Sequence, residues 1–493
     1  MHEPENHRNC RSIPAIRIIK PTPLSILIAA TILLCPTATH GQRRADSPTA
    51  TLRPHTREVV ERLGLLRSLE ASGWKYHDGD LSHGEEPNLD DSSWQTTDRL
   101  NKASTGVIWL RRWFEMPKDL NGYDLAGTRI WLQFRVDGHG PLTEIFYFNG
   151  RRVALGEGLE PVVLFDRAKP GERVLVAVKL LETIQPKDFN GASAIVEYPS
   201  TRPDPTTLYQ ELLSLHILAP TLGADTKAAD KAVDDAAAAV DPDALTKSDS
   251  GAFDASLRRS ESILAPLQPA LHRMKVNLTG QSHIDAAWLW PWTDTVDVVR
   301  RTFATSLDLM NEYPQFTFSQ SASAYSEWID EKYPALHDAI QKRVQEGRWE
   351  MVGGMWVEPD FNIPDGESQV RQLLIGKRYI QQHYGVDVRI GWNPDSFGFD
   401  WQLPQIYKKS GVDYFMTTKM NWNETHKLPL KLFWWQAPDG SRVLTYFPNG
   451  LGGDINPVGI AGELSAAAHL NPGTNEVMHI YGVGDHGGGP TRL

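Results

Sequence analysis

The chain has 493 residues, 41% of them apolar, with 39 Gly and 33 Pro, which is enough for about two or three domains with cores of their own. A formal net charge of −11, with no run of Lys and Arg past the N-terminus, argues against a nucleic-acid partner. The two cysteines, Cys10 and Cys35, both lie near the start, so the folded part has neither a disulfide framework nor a cysteine-based zinc site.

Arg11, Arg17 and Lys20 form a basic segment ahead of the apolar stretch Leu24 to Leu34 (LSILIAATILL), which is too short to span a bilayer comfortably. Thr39-His40-Gly41 offers small residues at −3 and −1 of a cleavage site before Gln42. Residues 1–41 therefore read as a signal peptide of a secreted or periplasmic protein, with an uncleaved anchor as the alternative. Leu34 is not the small residue that lipoprotein processing needs before Cys35.

Residues 42–73 form a lead-in with a helical pattern (REVVERLGLLRSLE). From 74 to 200, short β-rich runs such as Val107-Trp113, Arg129-Val136, Glu144-Phe148 and Arg173-Leu180 alternate with turn chemistry at Asn121-Gly122, Asp137-Gly138 and Asn149-Gly150. That spacing predicts an antiparallel β-sandwich. It loosely resembles the galactose-binding-like jelly rolls attached to many glycosidases, although a purely structural sandwich explains it as well. Residues 201–272, helical around the Ala-rich stretch Ala224 to Ala239, read as a connector between domains.

From residue 273 to 493 strands and helices alternate. Candidate strands are Val276-Gly280, Phe316-Gln320, Trp349-Gly353, Val388-Trp392, Tyr414-Thr418, Val443-Phe447 and Val477-Val483. Between them, Glu367-His383 has apolar residues at helical spacing, with Asp365 placed to cap it. The alternation predicts a mainly parallel sheet in a multidomain protein, an α/β domain closed as a seven-stranded (β/α) barrel.

In a parallel fold the chemistry sits where strands end. The first strand runs into His283-Ile-Asp285, whose alternate residues point to one side of an extended chain. An imidazole nitrogen and a carboxylate there suit zinc, although such a pair is more often only hydrogen-bonded. Trp288, Trp290 and Trp292 follow and would wall a sugar-sized cleft; in the ordinary case, indoles such as the 16 in this chain pack cores. The fourth strand ends in Asn393-Pro394-Asp395, a candidate nucleophile or metal ligand, or else a cap for the helix beginning near Leu403.

Taken together, HIDAAWLWPW, GGMWVEPDFNIPDGES, IGWNPDSFGF, TTKMNWN and FWWQAPDGSRVL resemble the α-mannosidases of glycoside hydrolase family 38. The likeness is to the branch with a later motif similar to Gly482-Val-Gly484-Asp485-His486-Gly-Gly-Gly489-Pro490, and it covers about residues 275 to 493. It implies that His283 and Asp285 ligate zinc and that Asp395 is both zinc ligand and nucleophile. Trp288 and Phe397 would line the pocket around mannose, with Lys419 and Asp360 near the substrate. Asp485 is the candidate acid/base, with Asp360 and Glu358 as rivals; a loop-organising carboxylate is the ordinary reading of Asp485. The implied partner is an α-mannoside or mannose-containing glycan, and self-association as a homo-oligomer fits the resemblance. Family members carry a fourth zinc ligand, a His, and a β-rich region beyond the Gly-rich loop, so the domain is expected to be truncated at Leu493. The implied reaction is retaining hydrolysis of terminal α-mannosyl linkages. A non-catalytic carbohydrate-binding remnant and a zinc-dependent carbohydrate deacetylase are the other readings. The second is disfavoured because the H-x-x-x-H pair it would use is not found near the site.

Overall fold

The computed structural model describes residues 49–492, apart from 102, 139–141, 157–158, 160, 289, 424 and 485–486. The expected signal peptide, both cysteines, Asp485 and His486 lie outside the described residues. Among the described residues no helix is long and apolar enough to cross a membrane.

The lead-in opens with the helix Pro54–Gly64, started by Pro at its first position and burying Val59, Val60 and Leu63. It then supplies an edge strand, Ser68–Leu69, paired with Lys187–Glu197. Two antiparallel sheets follow. One has the order Ser68–Leu69, Lys187–Glu197, Arg129–Gly138, Val162–Phe165. The other runs Gln95–Thr97, Trp74–Asp78, Ile108–Glu115, Arg173–Leu180, Glu144–Phe148, Arg151–Gly156.

Asn149-Gly150 makes the hairpin turn between the last two of these strands, with φ of 47° and 82°; both signs are positive, as a two-residue turn matching strand twist requires. Asp137-Gly138, expected as a turn, instead continues a strand. Asp137 pairs with Asp188 and Gly138 with Lys187, because the long partner strand extends the ladder that far.

The two sheets meet through aromatic side chains. Trp74 packs edge-on to Phe134 at 5.1 Å between ring centroids, and Phe134 stacks on Phe189 at 4.6 Å. Each fully buried ring of this kind stabilises the fold by about 1.5–3 kcal/mol. The helices Pro205–Leu218, Thr226–Ala239 and Ser250–Leu264 bury Leu208, Leu212, Phe253 and Leu257 in that same core. Tyr123 joins the layers: its ring contacts Tyr198 and Phe253, and its hydroxyl donates to Asp254 at 2.7 Å. The helical stretch is thus packed onto the antiparallel sheets and shares their core.

All seven candidate strands past residue 273 are present, at Lys275–Gln281, Phe318–Gln320, Trp349–Met351, Ile390–Trp392, Tyr414–Met416, Arg442–Tyr446 and Glu476–Tyr481. An unexpected eighth, Leu432–Gln436, pairs antiparallel with Arg442–Tyr446 at an edge. The eight form two four-stranded sheets. The first is parallel throughout, in the order 349–351, 318–320, 275–281, 476–481. The second runs 390–392, 414–416, 442–446, 432–436. Hydrogen bonds link the sheets: Gly353 N–H donates to Ile390 C=O at 2.8 Å, Tyr446 OH donates to Met478 C=O at 3.2 Å and accepts from Met478 N–H at 3.1 Å, and Trp392 Nε1–H donates to Gln281 Oε1 at 3.1 Å. Val352, Trp392, Met416 and Ile480, drawn from both sheets, pack into one small core.

Candidate metal and catalytic site

Four strand ends deliver the polar groups. His283 and Asp285 follow the strand Lys275–Gln281, Glu358 follows Trp349–Met351, Asp395 follows Ile390–Trp392, and Lys419 follows Tyr414–Met416. Short strands suffice because the loops beyond them are fixed from beneath. Buried Asn393 accepts from Tyr407 OH at 2.5 Å, and Thr418 donates its hydroxyl to Pro394 C=O, also at 2.5 Å. Ser396 donates to Pro359 C=O at 3.1 Å, which ties the Asp395 loop to the Glu358 loop. Tyr325 OH donates to Ile284 C=O from below the first loop. Gly484 comes so close to His283 that a Cβ there would sit 3.2 Å from the His283 Cβ.

The ligand atoms of His283, Asp285 and Asp395 all lie within 4.8 Å of one another. His283 Nε2 is 3.3 Å from an Asp285 oxygen and 3.7 Å from an Asp395 oxygen. One imidazole nitrogen with two carboxylates is a donor set that suits a divalent transition cation. His283 is almost fully buried, and its other nitrogen, Nδ1, faces Glu358 at 3.5 Å. A carboxylate behind a ligating imidazole is the usual device for fixing its ring and tautomer. Glu358 also accepts from the Asp395 backbone N–H. Burial pushes the Glu358 carboxyl up to about 7, helped by the Asp285 charge and opposed by His283, Lys419 and a backbone bond from Ser396.

The other oxygen of Asp395 is ion-paired with Lys419 Nζ at 2.5 Å. That ammonium lies over the Trp422 ring at 4.2 Å and near the Phe397 ring at 5.2 Å, a cation–π arrangement that orients it.

Residues 273–493 match the Glycosyl hydrolases family 38 N-terminal domain. The chain is 40% identical over 223 residues to human Alpha-mannosidase 2C1, covering 44% of this chain and 21% of that protein. It is 39% identical over 220 residues to Alpha-mannosidase G of Dictyostelium discoideum and 37% over 218 residues to Alpha-mannosidase of Saccharomyces cerevisiae. Those stretches cover 44% and 43% of this chain, and 20% of each relative. Over this region the chain is similar to the family 38 glycosyl hydrolases. The matched stretch spans about a fifth of the curated relatives' length.

Within the matched region, the expected substrate-side residues have distinct settings. Trp288 is 58% exposed and packs edge-on to Trp290, which is buried and donates its indole N–H to Thr295. Phe397 is 66% exposed and meets Trp422 edge-on at 5.3 Å. Both rings are largely exposed, as a surface that stacks on a ligand requires. Asp360 heads a turn, its carboxylate accepting from Asn362 N–H and Ile363 N–H at 2.7 and 2.8 Å. That turn lies against the Asp395 loop, since a Cβ on Gly398 would collide with the Asn362 side chain. Asp395 does not cap the helix Leu403–Lys409, whose N-cap residue is Gln402 with no side-chain cap. Trp422 was not singled out from the sequence. It lies within the segment TTKMNWN, but only the folded chain shows that its ring carries Lys419.

Proposed function

We propose that this chain is the catalytic part of a retaining α-mannosidase that hydrolyses terminal α-mannosyl linkages, with zinc held by His283, Asp285 and Asp395. The observation that carries the reading is the meeting of those three donors with Lys419 on the second oxygen of Asp395, inside the region that matches family 38. In this reading the antiparallel sheets are a galactose-binding-like jelly roll. The seven parallel strands of the two sheets, without the antiparallel edge strand Leu432–Gln436, are the walls of one seven-stranded (β/α) barrel, which the shared inner core favours.

Zinc bound there would hold sugar hydroxyls and offset negative charge beside the nucleophile. Asp395 attacks the anomeric carbon and becomes the glycosyl ester, while the leaving oxygen takes a proton from the acid/base. Water, deprotonated by the same group, then releases mannose with its configuration retained. Lys419 pairs with Asp395 and aims its carboxylate. Trp288 and Phe397 stack against the sugar ring, and Asp360 accepts from substrate hydroxyls. Asp485, in the Gly-rich motif near the end of the sequence, is assigned the acid/base role on its sequence position. Secretion or periplasmic export and self-association belong to the same reading.

The test is hydrolysis of an aryl α-mannoside followed by proton NMR of the first sugar released. The α anomer appearing first, with turnover abolished in Asp395→Asn, is the expected result. The β anomer appearing first overturns retention, and turnover surviving in Asp395→Asn overturns the nucleophile.

A further inference from the structure

A second group of metal-ligating side chains lies in the helical layer. Asp330 sits in the last turn of the helix Ser323–Lys332, His337 in the first turn of Pro334–Gln345, and His383 in the last turn of Gly366–Tyr384. Their ligand atoms lie within 4.8 Å of one another. Each oxygen of the Asp330 carboxylate faces one ring: Oδ2 is 3.0 Å from His383 Nδ1, and Oδ1 is 3.7 Å from His337 Nδ1. The carboxylate is about one-third exposed and so is His383, whereas His337 is buried. The group therefore has a buried base and an open side.

Three features go beyond an ordinary ion pair. First, the ends of two helices converge here as C-termini, whose partial negative charge favours a cation and disfavours a bare carboxylate. Second, neighbouring rings fix the positions of the three groups. The Tyr379 ring stacks on His383 at 4.1 Å with 14° between planes, while its hydroxyl donates to Asp330 Oδ2 at 3.2 Å. Tyr384 OH lies 3.0 Å from His337 Nδ1. Third, Glu327, one turn before Asp330, interacts electrostatically with His383 and adds carboxylate density on the same side.

We infer that Asp330, His337 and His383 bind a divalent transition cation, with zinc the ion that two imidazoles and a carboxylate suit. Three protein donors and the open side give a site completed by water. The inference rests on this cluster alone and is independent of the mannosidase reading.

The experiment uses the full chain, stripped with chelator and titrated with zinc, with bound metal counted after gel filtration. His283→Ala/Asp395→Asn removes two of the three strand-end donors and leaves the helical cluster untouched. That variant is expected to retain about one equivalent of zinc per chain, which His383→Asn added to it then removes. Asp330→Asn in the otherwise unaltered chain, a near-isosteric change that tests the same site without touching the strand ends, is expected to lower uptake by about one equivalent. No zinc on the His283→Ala/Asp395→Asn variant together with unchanged uptake by Asp330→Asn overturns the inference. So does zinc that survives His383→Asn.

Discussion

At the strand ends, His283, Asp285 and Asp395 are presented by loops, and each loop is fixed by hydrogen bonds from residues beneath it, such as Tyr325, Tyr407 and Thr418. In the helical layer, Asp330, His337 and His383 are presented by helix ends and fixed by stacked and hydroxyl-bearing rings. Both clusters join imidazole to carboxylate, but their surroundings differ. The strand-end group has a largely buried acid beside it, a lysine on its nucleophile candidate and exposed indole and phenyl faces nearby. Around the helical group, Tyr379, Tyr384 and Glu327 orient and charge the donors. Donor type alone thus does not mark an active site; the groups arranged to act on a substrate do.

The largest effect should separate the clusters outright. Asp395→Asn is expected to lower turnover of an aryl α-mannoside at least about a thousandfold, ~4 kcal/mol of barrier. Asp330→Asn is expected to leave turnover within about twofold, since it touches no reacting group. Equal losses in steady-state assays would erase the distinction.

A smaller effect tests what holds Asp395. Lys419→Met removes a charged partner at hydrogen-bond distance and is expected to cost about 1.5–3 kcal/mol in kcat/KM, roughly 10- to 150-fold. A change in KM alone, with kcat intact, would show that the lysine binds substrate and does not aim the nucleophile.

Tyr407→Phe leaves the buried Asn393 oxygen without its donor and should lower stability by about 1–3 kcal/mol in urea unfolding. Because Asn393 begins the Asp395 loop, turnover should fall as well. An unchanged rate in a destabilised variant would mean that the loop is held by its other ties.

The smallest effect lies on the helical side. Asp365 accepts from Ser368 N–H at 2.8 Å and caps the helix that carries His383. Asp365→Ala should therefore cost about 1 kcal/mol by thermal unfolding, with turnover unaltered.

His283 and Asp285 were legible as a pair because parallel strands leave a local mark, whereas the joining of Asp395 to them was implied only by the resemblance to family 38. A short apolar run ends in Gly, Pro or polar residues, and alternate residues such as His283 and Asp285 must share a side. The Asp365 cap was legible for the same local reason. The pairing of Lys419 with Asp395 was not, since it depends on the order of strands and on Trp422 folding under the ammonium. Neither was the helical cluster: Asp330 and His337 lie on separate helices broken at Tyr333-Pro334, and His383 arrives from a third. Asp137-Gly138 misled for the opposite reason. Its composition suits a turn, but the length of the partner strand kept it in the ladder.

The most direct test of the account is turnover of an aryl α-mannoside by the chain as isolated, after chelation, and after zinc is returned. Mannose release that is lost on chelation and recovered with zinc, but not in Asp285→Asn, is the predicted result. Release that persists after the metal has been removed would contradict a zinc centre at His283, Asp285 and Asp395.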